Sequence, residues 1–315
     1  MWKYVVKRLL WIVLIMVCVA FIVFTLTYLT PGDPAKMQLS STGTTPTEAE
    51  IQVMRVKLGI DKPYLTQLVT YMYNTFIKFD FGISWTYQVP VMTELGNRLP
   101  RTVLLGLTNM AISVVVSVAL GIFASLNKGK FPDYGLMGLC ILLLSVPDFW
   151  VAYMLVLIFA VRLQLLPMFG IGSLKHYILP VIAGSIGGIA GNARQTRSAM
   201  LETLHADFVN TALSKGQKRR VVIMKHIFPN ALMPILTGIG GRFGMIVGGA
   251  AILEKVFSIP GVGLYMLTGI SSRDYPVIRG CAMFLALFST LAVLLTDLAY
   301  AWLDPRIKAQ YSNKR

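Results

Sequence analysis

Charge is scarce in this chain of 315 residues: Asp, Glu, Lys and Arg make up 14% of it, against 55% hydrophobic residues. Soluble domains carry roughly a quarter charged residues, so the chain lacks the polar surface of a water-soluble enzyme. Cysteine is nearly absent. Cys18, Cys140 and Cys281 sit inside apolar runs without CxxC or Cys/His spacing, which leaves neither a disulfide framework nor a thiolate metal site and reads as small core residues. The three histidines, His176, His205 and His226, fall in loops on both sides of the membrane in the topology below, so they form no common ligand set. No GxxxxGK followed by Ser or Thr occurs, so any ATP that drives this protein is hydrolysed on another chain. No Ser/His/Asp or paired-carboxylate constellation appears either, which makes a membrane-embedded enzyme remote. Acids are the rarer charge, 14 against 29 Lys and Arg, for a net +15. In a soluble protein that excess suggests nucleic acid; in a membrane protein it records topology.

What the chain has in quantity is long apolar runs, and its mean hydropathy is +0.66. The length allows two soluble domains, but the runs point to one membrane-embedded domain over 1–315. A crossing helix needs about 20 mainly apolar residues, and six stretches qualify: 9–29, 102–126, 135–161, 178–193, 232–253 and 281–303. The first is too long for a signal-peptide core and ends without a small-x-small cleavage site, so it reads as an uncleaved span. Lys and Arg of short loops stay on the cytoplasmic side. With the N-terminus inside, sixteen fall on inner segments; five (Arg162, Lys175, Lys255, Arg273 and Arg279) fall on the two short outer loops. The expectation is an all-α, polytopic protein with both termini inside, and the charge excess then no longer argues for nucleic acid.

Two large loops remain. In the outer segment 30–101, Thr45-Pro46-Thr47-Glu48 predicts an N-cap, a proline in the first turn and an acid three residues after the cap. Ile51, Met54 and Leu58 then share one face, and Gly59 can end the helix. Asp61-Lys62-Pro63 predicts a second start, followed by an apolar stripe of Leu65, Leu68, Met72 and Phe76. These helices read as a packed cap over the bundle or as a surface for substrate. In the inner loop 194–231, Ala206 to Gly216 predicts a short helix with Asp207 near its start, Lys215 near its end and Gly216 as a left-handed stop. Phe208, Val209, Ala212 and Leu213 are apolar on this helix outside the bilayer, so they must be covered by lipid headgroups, the bundle or a cytoplasmic partner.

Inside the spans, Gly184 and Gly188, Gly187 and Gly191, and the series Gly240, Gly244 and Gly248 recur every fourth residue. Small residues at this spacing let helices approach closely where lipid supplies no hydrophobic drive. They suit static packing or a smooth face that slides or rocks against a neighbouring set of helices. Arg242 and Asp297 are the intramembrane charges, candidates for a pathway lining or for an ion pair with each other.

The run Ala206 to Gly216, with Ile227-Phe228-Pro229 after it, resembles the cytoplasmic signature of importer-type ABC permeases. Leu29-Thr30-Pro31-Gly32-Asp33-Pro34, Leu58-Gly59-Ile60-Asp61-Lys62-Pro63, Ser145-Val146-Pro147-Asp148-Phe149-Trp150, Val256-Phe257-Ser258-Ile259-Pro260-Gly261-Val262-Gly263, Arg273-Asp274-Tyr275-Pro276 and Leu303-Asp304-Pro305-Arg306 look like the dipeptide/oligopeptide/nickel branch. The long outer segment matches its B-type subunit. The resemblance implies a type I ABC importer permease fold. It also implies ATP-driven alternating access, with Ala206, Asp207, Phe208, Val209, Thr211, Ala212, Lys215 and Gly216 as the coupling helix that docks into an ATPase. Leu213-Ser214 stands where the family often has Arg-Ala, so an ion pair to the ATPase at Leu213 is ruled out. Implied partners are a second permease subunit, two ATP-binding subunits that hold the ATP and Mg, an extracytoplasmic substrate-binding protein and membrane lipid. No cofactor is expected on this chain. Di- and oligopeptides are the most common cargo of the branch, with nickel, metal chelates and glutathione as alternatives. A scaffold or sensor that docks a cytoplasmic protein without moving solute is the competing reading.

Overall fold

A computed structural model describes residues 2–40, 46–243 and 246–303, with side chains at 2–5, 237–249, 297 and 299–303 outside the description. Among the described residues the helices in chain order are α1 (Trp2–Leu29), α2 (Pro34–Ser40), α3 (Glu48–Leu58), α4 (Tyr64–Phe76), α5 (Val91–Leu126), α6 (Phe131–Ser145), α7 (Asp148–Leu155), α8 (Lys175–Leu204), α9 (Asp207–Ser214), α10 (Arg219–Val222), α11 (Phe228–Phe243), α12 (Ile246–Val256), α13 (Val262–Ser272) and α14 (Tyr275–Leu303). Two π-helical stretches, Val156–Arg162 and Ile223–Ile227, continue α7 and α10. The chain divides into two compact units, 1–101 with 260–291 and 102–259 with 292–315.

In the first unit the apolar α1 packs Met16 and Ala20 against Met283 of α14, flanked by Tyr71, Met72 and Phe76 of α4. The cap of α3 sits two residues later than the sequence reading places it. Thr47 is the N-cap: its hydroxyl accepts the Glu50 N–H while the Glu50 carboxylate accepts the Thr47 N–H, a reciprocal capping box. Thr45 is outside the described residues, and Glu48 is the first helical residue. Gly59 ends α3 in the left-handed region, at φ 69°. The predicted start of α4 holds: the helix opens at Tyr64 directly after Pro63, which gives no side-chain cap, whereas Leu65 of the expected stripe is exposed. Met72 and Phe76 of the stripe do pack inward, joined by Tyr71 and Thr75, because α1 presents an aromatic wall, Phe24, to Tyr64 and Tyr71. The helix α2 escaped the sequence reading although its start carries a signal: Asp33 accepts the Ala35 N–H at 3.0 Å as an N-cap, and Pro34 is the first helical residue.

Asp274, fully buried, organises the other side of this unit. Its carboxylate accepts hydrogen bonds from Ser84 Oγ at 2.7 Å and from the Thr86 N–H at 2.9 Å, while its carbonyl accepts the Ile278 N–H of α14 at 3.0 Å. Val91 and Leu95 of α5 meet Val262, Tyr265, Val277 and Cys281 in a single cluster beside it.

In the second unit α8 packs against α6, α7, α11 and α12. Gly184 and Gly188 make that approach possible. A Cβ at Gly184 would lie 2.2 Å from Asn109 Nδ2 of α5, and one at Gly188 would lie 2.5 Å from Ser113 Oγ. Ser113 Oγ donates to the Ser185 carbonyl at 2.9 Å, which only such close backbones allow. Leu105, Ala152, Val156, Leu179, Val181, Leu253 and Phe257 form the main core.

One expected crossing is broken. The run 135–161 divides at Val146-Pro147 into α6 and a second helical piece, bent by 99°. Pro147 has no N–H to continue the helix, and the residue before a proline is pushed to extended backbone, as Val146 is at φ −94°, ψ 128°. Three helices among the described residues are long and apolar enough to cross a membrane: Val6–Leu29, Val91–Leu126 and Tyr275–Thr296. The bent pair makes a fourth if it counts as one span. Glycine and polar residues keep α8 below that threshold despite its 30 residues.

Asp274→Ala is expected to lower the unfolding free energy by about 2–4 kcal/mol, because it strips the carboxylate that caps the Val277 N–H and orphans the buried Ser84 hydroxyl together with the Thr86 N–H; denaturant melts in detergent measure this. Gly188→Leu is expected to cost about 1–3 kcal/mol by overpacking the α5–α8 seam, read as a lower melting temperature at normal membrane insertion.

Candidate functional site

The eight-residue α9 begins after Ala206, whose extended backbone (φ −75°, ψ 144°) turns the chain out of α8. No side chain caps its start; Asp207 supplies the negative charge of the first turn. Its end is closed by Gly216 at φ 75°, a conformation that a Cβ would strain, with the Gly216 N–H donating to the Leu213 carbonyl at 2.9 Å.

The two faces of α9 have different fates. Val209 and Ala212, one turn apart, are buried with Ala199 and Met200 of α8, Val222 of α10, Ile227, and Ala231 and Ile235 of α11. Burying Val209 alone contributes about 1.5 kcal/mol. Of the three covers that the sequence left open for the four apolar side chains, the bundle takes Val209 and Ala212, so the expectation that these two dock on an ATPase needs correction. Phe208 and Leu213 keep 40% and 43% of their surface exposed, and Asp207, Asn210, Thr211, Lys215 and Gly216 are exposed around them. Phe208, Thr211 and Lys215 recur at i, i+3 and i+7, so they make one outward stripe. Exposed Lys218, Arg219 and Arg220 follow directly.

The support beneath is tied down by polar contacts. Gln195 Nε2 donates to the Pro234 carbonyl at 2.9 Å, joining α8 to α11. His226 Nε2 lies 3.0 Å from Gln217 Oε1, His205 Nδ1 2.6 Å from the Leu201 carbonyl, and His205 Nε2 3.4 Å from Lys128 Nζ. The histidines thus hold loops in place. Among the described residues no group of three His, Cys, Asp or Glu could hold a metal ion, and the three cysteines are free thiols.

The other candidates of the sequence separate. Gly184 and Gly188 face α5 of the same chain. Gly240, Arg242 and Gly248 lie in helices whose side chains there are outside the described residues, as is the side chain of Asp297; Gly244 itself is outside the described residues.

Two family models cover the chain: residues 117–309 match the binding-protein-dependent transport system inner membrane component, and residues 1–106 match the N-terminal part of that membrane component. The chain belongs to this family. It is therefore a membrane-spanning transport component of the bacterial inner membrane type rather than an enzyme. A putative peptide transport system permease protein of Brucella abortus strain 2308 is 35% identical over 312 residues, 96% of this chain and 98% of that protein. A putative peptide permease protein of Brucella ovis is 35% identical over 319 residues, 98% of this chain and 99% of that protein. The glutathione transport system permease protein of Escherichia coli K12 is 34% identical over 308 residues, 98% of this chain and 99% of that protein.

Two buried ionic features of this transport component escaped the sequence reading. Asp133, 1% exposed at the start of α6, accepts Arg197 Nε at 2.5 Å and Nη2 at 2.7 Å, and also the Gly129 N–H at 3.0 Å. This fork pins α6 to the end of α8 from which α9 departs. Glu254 of α12, fully buried, accepts Thr102 Oγ1 at 2.6 Å. Asp133 and Arg197 lie 64 residues apart, so no local pattern joins them; the available signals were only an acid in a first turn and an acid closing an apolar run.

Asp133→Ala leaves Arg197 without its counter-ion and is expected to destabilise by about 2–3 kcal/mol, discounted for the partial exposure of Arg197. Arg197→Lys is expected to recover less than half of that, since an ammonium cannot fork a carboxylate. Thermal unfolding of purified variants in detergent decides both.

Proposed function

We propose that this chain is the permease subunit of a binding-protein-dependent ABC importer that moves short peptides and peptide-like solutes inward by ATP-driven alternating access. The observation that carries this reading is α9: a short helix fastened to the bundle by Val209 and Ala212 while it presents Phe208, Thr211 and Lys215 outward. Such a helix transmits force, because its inner face moves with α8 and α11 and its outer face is free for a second protein. In this reading the partner is one of two ATP-binding subunits, which hold the ATP and Mg. A second permease subunit completes the pathway, and an extracytoplasmic binding protein delivers cargo. Six crossings with both termini inside fit the charge bias; α8, about 45 Å long at 1.5 Å per residue, and the α11–α12 pair would supply the crossings expected at 178–193 and 232–253.

The cargo class rests on the relatives. The Brucella proteins bear the name of peptide permeases and the Escherichia coli protein that of a glutathione permease, and glutathione is itself a peptide-like acid. Binding of ATP shifts such a transporter only through contacts that differ between its two states, and on this chain α9 makes them. A scaffold without transport would need the docking face but no cargo.

Phe208→Asp is expected to abolish both ATPase association and ATP-dependent dipeptide uptake in proteoliposomes holding all subunits, a loss of at least ten-fold, at unchanged melting temperature. Val209→Asp is expected to lower the melting temperature instead. Wild-type uptake by a well-inserted Phe208→Asp variant would overturn the coupling role. Intact docking in wild-type complexes without accumulation of any peptide would favour the scaffold.

A further inference from the structure

Arg279 is held unlike any other cation of the first unit. It is the fifth residue of α14 and is partly buried. Its guanidinium carbon lies 4.4 Å from the centre of the Phe24 ring, 5.4 Å from that of Tyr71 and 5.5 Å from that of Tyr275. Its Nε donates to Thr27 Oγ1 at 2.8 Å. Three aromatic rings and one hydroxyl therefore fix the plane of the group. No carboxylate pairs with it among the described residues, and its Nη donors meet no protein acceptor there. Asp80, the acid that lines the larger cavity beside Arg279, accepts the Gly82 N–H at 2.8 Å, and Asp33, which lines a second and smaller cavity beside Arg279, takes Nε and Nη2 of Arg55 at 2.9 and 2.7 Å.

Arg279 lines a cavity of about 570 Å³ in this unit, together with Lys57, Lys62, Asn74 and Trp85. That volume falls within the roughly 300–1,000 Å³ of small-molecule sites. Three cations against the single acid Asp80 make the space positive. A guanidinium whose fork of donors is oriented and unused matches one ligand chemistry best, a planar carboxylate taken by two parallel hydrogen bonds. Lys57 and Lys62 would draw an anion in from solvent, and Asn74 and Trp85 supply an amide and an aromatic face for the rest of a small molecule.

We propose that this cavity is a substrate subsite on the chain itself, in which Arg279 takes the C-terminal carboxylate of a short peptide. This rests on the peptide reading above. The site is distinct from the docking face of α9, and its ligand is recognised by charge and shape without help from another protein.

The test uses the full-length chain alone in phosphatidylcholine nanodiscs, with the fluorescence of Trp85 as reporter and Trp85→Phe as the control that assigns the signal. Dialanine is expected to give a saturable change, and dialanine amide to bind at least ten-fold more weakly. Arg279→Gln is expected to erase the difference between acid and amide, and Arg279→Lys to keep only part of it. Equal binding of acid and amide by the wild-type chain overturns the proposal, and that arm does not depend on whether any variant folds. Inorganic phosphate binding as tightly as dialanine, or loss of dialanine binding in phosphatidylglycerol nanodiscs, would assign the fork to a phosphate or a lipid headgroup and overturn the peptide assignment. Failure of uptake in the complete importer with this titration intact would sink the import reading and leave the carboxylate site standing.

Discussion

A helix of eight residues makes too few internal hydrogen bonds to hold its own shape in water; isolated helices shorter than about 12–15 residues are marginal. α9 exists because Val209 and Ala212 are pressed into a pocket built from α8, α10 and α11. Everything proposed for the transfer of force follows from that burial. A surface helix tethered only by its ends would bend when pushed, whereas one whose inner face is part of a close-packed core moves as a piece with it. Asp133 and Arg197 extend the same logic one layer down, fastening α6 to the end of α8 from which α9 departs.

The bundle on which α9 packs is held by a different force. Apolar side chains that face lipid gain nothing by changing neighbours, so helix contacts in a bilayer rely on close backbone approach and interhelical hydrogen bonds. The α5–α8 seam shows both: Gly184 and Gly188 remove the side chains that would hold the helices apart, and Ser113 bonds across the gap to the Ser185 carbonyl. The second unit thus joins an apolar cluster beneath α9 to a small-residue seam between α5 and α8, each stable for its own physical reason.

Much of this was legible in the sequence because it is local. The apolar length of α1, the amphipathic run ending at Gly216, and the Gly-x-x-x-Gly spacing of α8 each require only a window of a few turns. Positions with two competing local signals shifted: Thr45 and Thr47 both qualify as caps, and only the partner acid Glu50, reaching back to the Thr47 N–H, decides between them. Leu65 was misjudged because α4 is apolar on two sides, and periodicity does not say which side meets α1. The fold of the chain at Pro147 was written in the sequence but was outweighed by the hydropathy on either side. The inner and outer faces of α9 could not be separated in advance, since Phe208 and Val209 are equally apolar and only the position of Met200 and Ile227 in space distinguishes them.

Arg279 belongs to the same lesson from the opposite direction. Counted along the chain it is one of five cations on short outer loops, a contributor to topology and nothing more. In three dimensions Phe24, Tyr71 and Tyr275 come from three separate helices to surround it, while Asp33 is paired with Arg55 and Asp80 is turned to the Gly82 N–H. A buried cation without a counter-ion is expensive to maintain unless its environment is polarised toward it, and the electron-rich faces of three aromatic rings provide that polarisation without filling the donor fork. Stability of the unit alone would be served as well by an apolar residue at 279 packing on the same rings. The arrangement that is present holds the charge in place and keeps its hydrogen-bonding edge open to the cavity, which is what recognition of an anion requires and what packing does not.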